Sequence, residues 1–309
     1  MTPSEIKKIL LEIGGRANKK LGQHFLVDKN VLATIVEAAD IHAGDRVLEV
    51  GPGLGVLTSA LLNQGVKVMA IEQDRRLAEY LNTETHPNPP LSGRASDVPL
   101  TRGIEGVSVI HGDAAKLDWY ELMGDHPWKF ISNLPYSITS LALRKALWTK
   151  NPPMKIVVLV QREVAERAIS VARNLTLPLL RKERNKTSLL SLMIALASSS
   201  ARIIKRVPAG AFYPPPKVES AILEIIPMTV AERHKKWGMD PEKIMEVAKK
   251  GFAHPRKFLF SNLGISSQSP SYSLLTTHYS PKIRAEDLSP ENWAKLAILM
   301  REFADQTGS

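Results

Sequence analysis

Arg46-Val47-Leu48-Glu49-Val50-Gly51-Pro52-Gly53-Leu54-Gly55 is the stretch whose reading decides the fold. Its first half has the apolar character of a strand and runs without a break into a glycine-rich turn. A helical pattern follows at 56–63, and Gly65 closes it as a helix C-terminus does. Residues 67–71 read as a second strand ending in Glu72, and 75–81 as a helix. Strand, glycine turn, helix, strand and acidic residue form a Rossmann-like opening.

The same alternation extends outward. Residues 107–110 and 129–132 predict strands that close on Gly112-Asp113 and on Asn133-Leu134-Pro135-Tyr136. A helix at 138–148, a strand at 155–160, helices at 163–172 and 189–197 and a terminal pair of strands at 201–207 and 220–226 complete the pattern. It predicts a parallel α/β sheet with ligands at the carboxyl ends of its strands. Upstream, 1–20 reads as a basic, partly helical arm, 22–26 as a short mixed segment and 30–39 as an amphipathic helix. Residues 83–106, rich in Pro, Ser and Gly, read as a long loop. Residues 181–186 form a basic loop, and the prolines of Phe212-Tyr213-Pro214-Pro215-Pro216-Lys217 predict a stiff, extended connection. After Pro227 only helical periodicity remains, which places a domain boundary near 229: an α/β domain over 1–228 and a small all-helical domain over 229–309.

The chain has 309 residues, enough to bury a sizeable core. Its 41 Lys and Arg against 31 Asp and Glu favour a polyanionic partner. Residues 233–257 alone carry eight Lys or Arg against three Asp or Glu. Cysteine is absent, which excludes disulfides, thiolate catalysis and Cys-based zinc sites. The histidines show no metal-ligand spacing, so no metal is expected. No apolar stretch approaches the ~20 residues of a membrane span and the N-terminus lacks an apolar signal core, so a cytoplasmic protein is expected.

Gly51, Glu72, Asp113 and Asn133 stand at the ends of successive strands. The glycine spacing is G-x-G-x-G and not the dinucleotide G-x-G-x-x-G, which counts against NAD. Gly51 and Gly53 let the backbone pass close to a ligand. Glu72 is placed to accept from both ribose hydroxyls and Asp113 from an adenine amine. S-adenosylmethionine carries those groups and a charged tail. Asn133 and the Leu134 carbonyl offer two acceptors to an amine, Pro135 stiffens them, and Tyr136 gives a planar base a stacking face, with Phe212 as the opposite one. A pocket for the N6 amine of a flipped adenine fits this set.

These motifs, with Gly22-Gln23-His24-Phe25-Leu26, Phe212 to Ala221 and Arg284-Ala285-Glu286-Asp287-Leu288-Ser289, identify a family. The chain resembles the ribosomal RNA adenine N6,N6-dimethyltransferases of the KsgA type, from about Gly22 to its end. The resemblance implies a class I methyltransferase sheet with helices on both faces, followed by a helical domain that binds RNA and the immature 30S subunit. It implies a monomer that dimethylates two adjacent adenosines near the 3′ end of small-subunit rRNA. It assigns S-adenosylmethionine contacts to His24, Leu26, Gly51, Glu72, Asp113 and Asn133, and target contacts to Asn133, Leu134, Tyr136 and Phe212. Position 24 is His where Asn is usual in the family, so its donor contact is expected to run through the backbone. The alternatives are a large-subunit adenine methyltransferase of the antibiotic-resistance type and a subunit assembly factor whose catalysis is dispensable. The Phe-x-Pro-Pro-Pro-Lys stretch and the tail argue for the small subunit.

Overall fold

Val47 and Leu48 of β2 (Arg46–Val50) and Phe130 and Ile131 of β6 (Lys129–Asn133) are all fully buried, so these strands are covered on both faces. Val47 and Ile131 join one apolar cluster with Val31 and Ile35 of α2 (Lys29–Ala39), Leu57 of α3 (Val56–Leu62) and Leu81 of α4 (Arg75–Thr83). Phe130 faces the other way and meets Trp119 of α5 (Trp119–Met123) edge-on, ring centroids 5.1 Å apart. The chain as seen in this computed structural model is described over residues 1–18, 21–83, 101–102, 106–171 and 186–307. The expected loop at 181–186 therefore lies outside the described residues save Lys186, as does most of 83–106.

The main sheet runs β4 (Thr101–Arg102), β5 (Val107–His111), β3 (Lys67–Glu72), β2, β6, β7 (Lys155–Gln161), β10 (Ser220–Pro227), β8 (Ser198–Val207). Its centre, β5 to β7, is parallel as expected. Antiparallel pairing of β4 with β5 and of β10 with β7 flanks that centre. From β2 the chain moves to β3 and β5 on one side, then returns to β6 and β7 on the other. The reversal leaves a crevice at the carboxyl ends of β2 and β6. A separate two-stranded ribbon pairs β1 (Phe25–Leu26) with β9 (Phe212–Tyr213), Leu26 opposite Phe212. α6 (Thr139–Leu147) starts after a 3₁₀ turn at Tyr136–Ile138, and α7 (Arg162–Ala168) follows β7.

The first segment is more than a basic arm. α1 (Pro3–Glu12) opens on a Thr2/Glu5 capping box and buries Ile6 and Leu10, one turn apart, against Phe25, Leu54 and Leu77. Each such burial is worth about 1.5–3 kcal/mol. The exposed Lys8–Glu12 pair at 3.8 Å gives at most a few tenths. Packing therefore sets where α1 lies, and Lys7 and Lys8 stay on its outer face.

The chain divides into two compact units, 1–166 with 202–227, and 167–201 with 228–309. This differs from a single boundary near 229, because α8 (Leu189–Ala197) packs with the C-terminal helices α9 (Val230–Trp237), α10 (Pro241–Gly251) and α13 (Pro290–Thr307). Trp237 Nε1 donates to the Leu196 carbonyl at 2.9 Å, and Thr187 Oγ1 to the Leu288 carbonyl at 2.6 Å. The short helices α11 (Leu259–Asn262) and α12 (Pro270–Thr276) complete this unit. Among the described residues no helix is long and apolar enough to cross a membrane.

Candidate active site

A cavity opens at the crevice and is lined by segments 21–26, 49–54, 71–73, 112–114 and 133–136. Gly51 and Gly53 explain why its floor is glycine. Both hold φ values near +70°, 72° and 63°, which side-chain-bearing residues rarely adopt. A Cβ on Gly51 would stand 3.0 Å from Pro135 Cγ, and one on Gly53 would stand 3.1 Å from Phe25 Cε1. The glycine turn thus touches both the Asn133–Tyr136 turn and the N-terminal segment.

Glu72 closes β3 with its carboxylate almost wholly buried. Gly53 N–H donates to Oε2 at 3.1 Å and Asp74 N–H to Oε1 at 2.9 Å. Burial pushes its pKa up, and these backbone donors pull against that rise. Each oxygen keeps a further lone pair for a ligand hydroxyl. Asp113 Oδ1 accepts from Ala115 N–H at 2.9 Å, which fixes the carboxylate and leaves Oδ2 to accept from a ligand. Gln23 Nε2 donates to Asp74 Oδ2 at 3.0 Å, and Gln23 Oε1 accepts from Asn18 N–H at 2.7 Å. These bonds tie the N-terminal segment to the acidic end of β3.

Asn133 ends β6 and donates through Nδ2 to the His24 carbonyl at 3.2 Å. A carbonyl only accepts, so the amide is oriented with Oδ1 left as its acceptor. Leu134 N–H donates to the Leu159 carbonyl at 3.1 Å. The Tyr136 hydroxyl lies 2.6 Å from Ser220 Oγ, and burial holds the phenol pKa above its ordinary value. The Tyr136 ring stacks on His24, centroids 5.7 Å apart and planes at 29°.

Every expected site residue except Phe212 lines this one cavity. Phe212 is only 3% exposed and belongs to the core cluster that holds Leu26, Ala211 and Ile222. As the opposite wall for a base it is therefore not presented here; it backs the β1–β9 ribbon from the core. An aromatic before a run of prolines reads the same from sequence whether it packs or stacks.

Glu49 is a cavity-lining residue that the sequence reading did not assign to the site. It is 1% exposed, accepts from Thr58 Oγ1 at 2.7 Å, and burial raises its pKa to about 8, with the nearby Glu72 charge adding to the rise. An acid inside an otherwise apolar strand was the available signal.

Lys249, Lys250, Arg256 and Lys257 are exposed in and after α10. Arg233 is not part of that surface: it is 4% exposed, donates through Nε to the Met228 carbonyl at 2.9 Å, and burial lowers its pKa to about 10. Lys186 pairs with Glu286.

The family model described as ribosomal RNA adenine dimethylase matches residues 14–302. A protein named ribosomal RNA small subunit methyltransferase A from Syntrophotalea carbinolica is 37% identical over 294 residues, covering 93% of this chain and 97% of its own. Its namesake from Dehalococcoides mccartyi is 36% identical over 289 residues, covering 92% and 88%. Among solved structures, a dimethyladenosine transferase from Plasmodium falciparum superposes with a TM-score of 0.66 at 22% identity, covering 92% of this chain and 98% of its own. The 23S rRNA methyltransferase ErmE does so at 0.57 and 22%, covering 90% and 99%. At these identities the two structures bear on the fold alone.

Proposed function

From a chain that belongs to the ribosomal RNA adenine dimethylase family, we infer an enzyme that methylates N6 of two adjacent adenosines near the 3′ end of small-subunit rRNA. The products are N6,N6-dimethyladenosines, and the donor is S-adenosylmethionine. The observation that carries this reading is the oriented amide of Asn133 beside the Tyr136 ring, in the same cavity as Glu72 and Asp113.

The cavity suits the donor on its own chemistry. Glu72, fixed at both oxygens by backbone donors, would hold the ribose hydroxyls. Asp113 would hold the adenine amine, and the backbone of Gly51, Gly53 and Leu26 would border the rest. When bound, S-adenosylmethionine supplies a methyl group already activated on sulfur. The protein's task is then placement rather than acid–base chemistry. The lone pair of an adenine N6 is delocalised into its ring, so the amine must be oriented before it is a useful nucleophile. In the first transfer Asn133 Oδ1 and the Leu134 carbonyl would accept its two N–H bonds and favour the pyramidal form; the amine loses one proton with each methyl gained, so the second transfer has one N–H left to hold. Tyr136, tied at its hydroxyl, gives the base a stacking face. Reaching N6 requires a splayed nucleotide, and the exposed Lys249, Lys250, Arg256 and Lys257 supply phosphate contacts. We assign the helical unit to binding the rRNA of the immature 30S subunit, and the protein to the cytoplasm as a monomer.

Incubation with labelled donor and undermethylated small subunits, followed by mapping of modified nucleosides, tests this. The expected label is in dimethyladenosine at two neighbouring positions of small-subunit RNA. Label confined to large-subunit RNA would transfer the assignment to the antibiotic-resistance type.

A further inference from the structure

His24 does more than line the donor pocket. Its Nδ1 lies 2.7 Å from the Pro214 carbonyl. That oxygen can only accept, so Nδ1 carries the hydrogen and the ring is held in one orientation. In this orientation the imidazole stacks against Tyr136, centroids 5.7 Å apart. Tyr136 is also tied at its far end, where its hydroxyl meets Ser220 Oγ at 2.6 Å. The phenol is thus restrained at its tip and on one face. The backbone carbonyl of the same His24 holds the Asn133 amide at 3.2 Å.

We propose that His24 is a positioning residue for the target base: its imidazole, anchored on Pro214, fixes the pitch of the Tyr136 ring and leaves the other face of that ring to the adenine. This rests on the reading of Tyr136 as the stacking surface. A fixed aromatic wall loses less freedom when a base lands on it, so the gain appears in base capture and in the rate once bound. Phe212 is buried in the core. The restraints on Tyr136 described above come from His24, itself held by Pro214, and from Ser220. The imidazole uses Nδ1 on Pro214 and one face on Tyr136, so the donor is expected to meet this position through its backbone.

Three variants, His24→Ala, His24→Phe and His24→Asn, test the proposal in the full-length protein. The readouts are single-turnover methylation of undermethylated small subunits, donor affinity by calorimetry, and fluorescence of an RNA carrying 2-aminopurine at a target position. His24→Ala is expected to slow single-turnover transfer about 10-fold and to reduce 2-aminopurine quenching, with donor Kd within about twofold of wild type. His24→Phe keeps a stacking ring without the Pro214 bond and is expected to recover part of the rate, more than His24→Asn does. Unchanged transfer in His24→Ala overturns the proposal, and so does a loss of donor affinity that accounts for the whole rate loss. Should His24→Ala fail to fold, as judged by its thermal transition, His24→Phe against His24→Asn makes the same comparison. Tyr136→Ala separates this from the underlying reading: if it too transfers at the wild-type rate, the stacking surface itself is misassigned.

Discussion

Glu72 and Asn133 both end strands of one sheet, yet different parts of the chain hold them. Glu72 is fixed by Asp74, two residues on, and by Gly53, 19 residues back. Asn133 is fixed by a carbonyl 109 residues away, Tyr136 by a hydroxyl 84 residues away, and His24 by a carbonyl 190 residues away. The donor side is built from local turns, and the target side from segments that meet only in the folded chain. Changes on the donor side should therefore read out in affinity, and changes on the target side in rate.

Asn133→Ala is the sharpest test. It removes an acceptor for the amine while Glu72 and Asp113 stay in place. Single-turnover transfer should fall about 1000-fold, roughly 4 kcal/mol, with donor Kd raised only a few-fold. Equal losses in rate and affinity would erase the division between the two sides.

Glu72→Ala should do the reverse. Loss of hydrogen bonds to a buried carboxylate is worth about 1.5–3 kcal/mol, so donor Kd should rise roughly 30-fold in calorimetry. Transfer at saturating donor should stay within a few-fold of wild type. An unchanged Kd would remove Glu72 from the site.

Glu49 asks what the donor side costs the fold. Its pKa rises from the ordinary carboxylate value to about 8 in the folded protein. A raised carboxyl pKa means the folded state keeps a proton that the unfolded state releases. Stability from this group therefore falls as pH climbs from about 4.5 toward 8. Glu49→Gln abolishes that dependence. Urea unfolding at pH 5 and pH 8 should show the variant gaining on wild type by roughly 3–4 kcal/mol across the interval. A constant difference between the two pH values would mean that Glu49 is already ionised in the fold.

Phe212→Leu gives the smallest effect. With the ring in the core, the change should lower stability by about 1 kcal/mol and leave KM for subunits within about threefold. A large rise in KM at unchanged stability would restore Phe212 as a wall for the base.

Much of the donor side was legible in the sequence because its signals are short and local. A strand running into Gly51-Pro52-Gly53, an acid at the end of the next strand and Asp113 after a third each declare themselves within a few residues. The same holds for Asn133-Leu134-Pro135-Tyr136. The Phe25–Leu26 and Phe212–Tyr213 ribbon was not legible: two-residue strands have no periodicity, and their partners lie far apart in the chain. α5 escaped for a similar reason, being one turn capped by Asp118 and anchored by Trp119. α1 was read by its charge, although Ile6 and Leu10 already carried the packing face. The grouping of 167–201 with the C-terminal helices depends on contacts such as Trp237 to Leu196, which no boundary signal in composition reports.

The pairing of residue 24 with 214, and of 136 with 220, also sets a schedule. A chain leaves the ribosome from its N-terminus at about 5–20 residues per second. Gly51, Glu72 and Asp113 emerge first, and Ser220 follows Asp113 by roughly 5–20 s at that pace. The donor-facing ends of β2, β3 and β5 thus leave the ribosome well before the segment that ties down Tyr136 and His24. Catalytic competence is decided late in synthesis, when the last strand of the sheet arrives to tie Tyr136 in place.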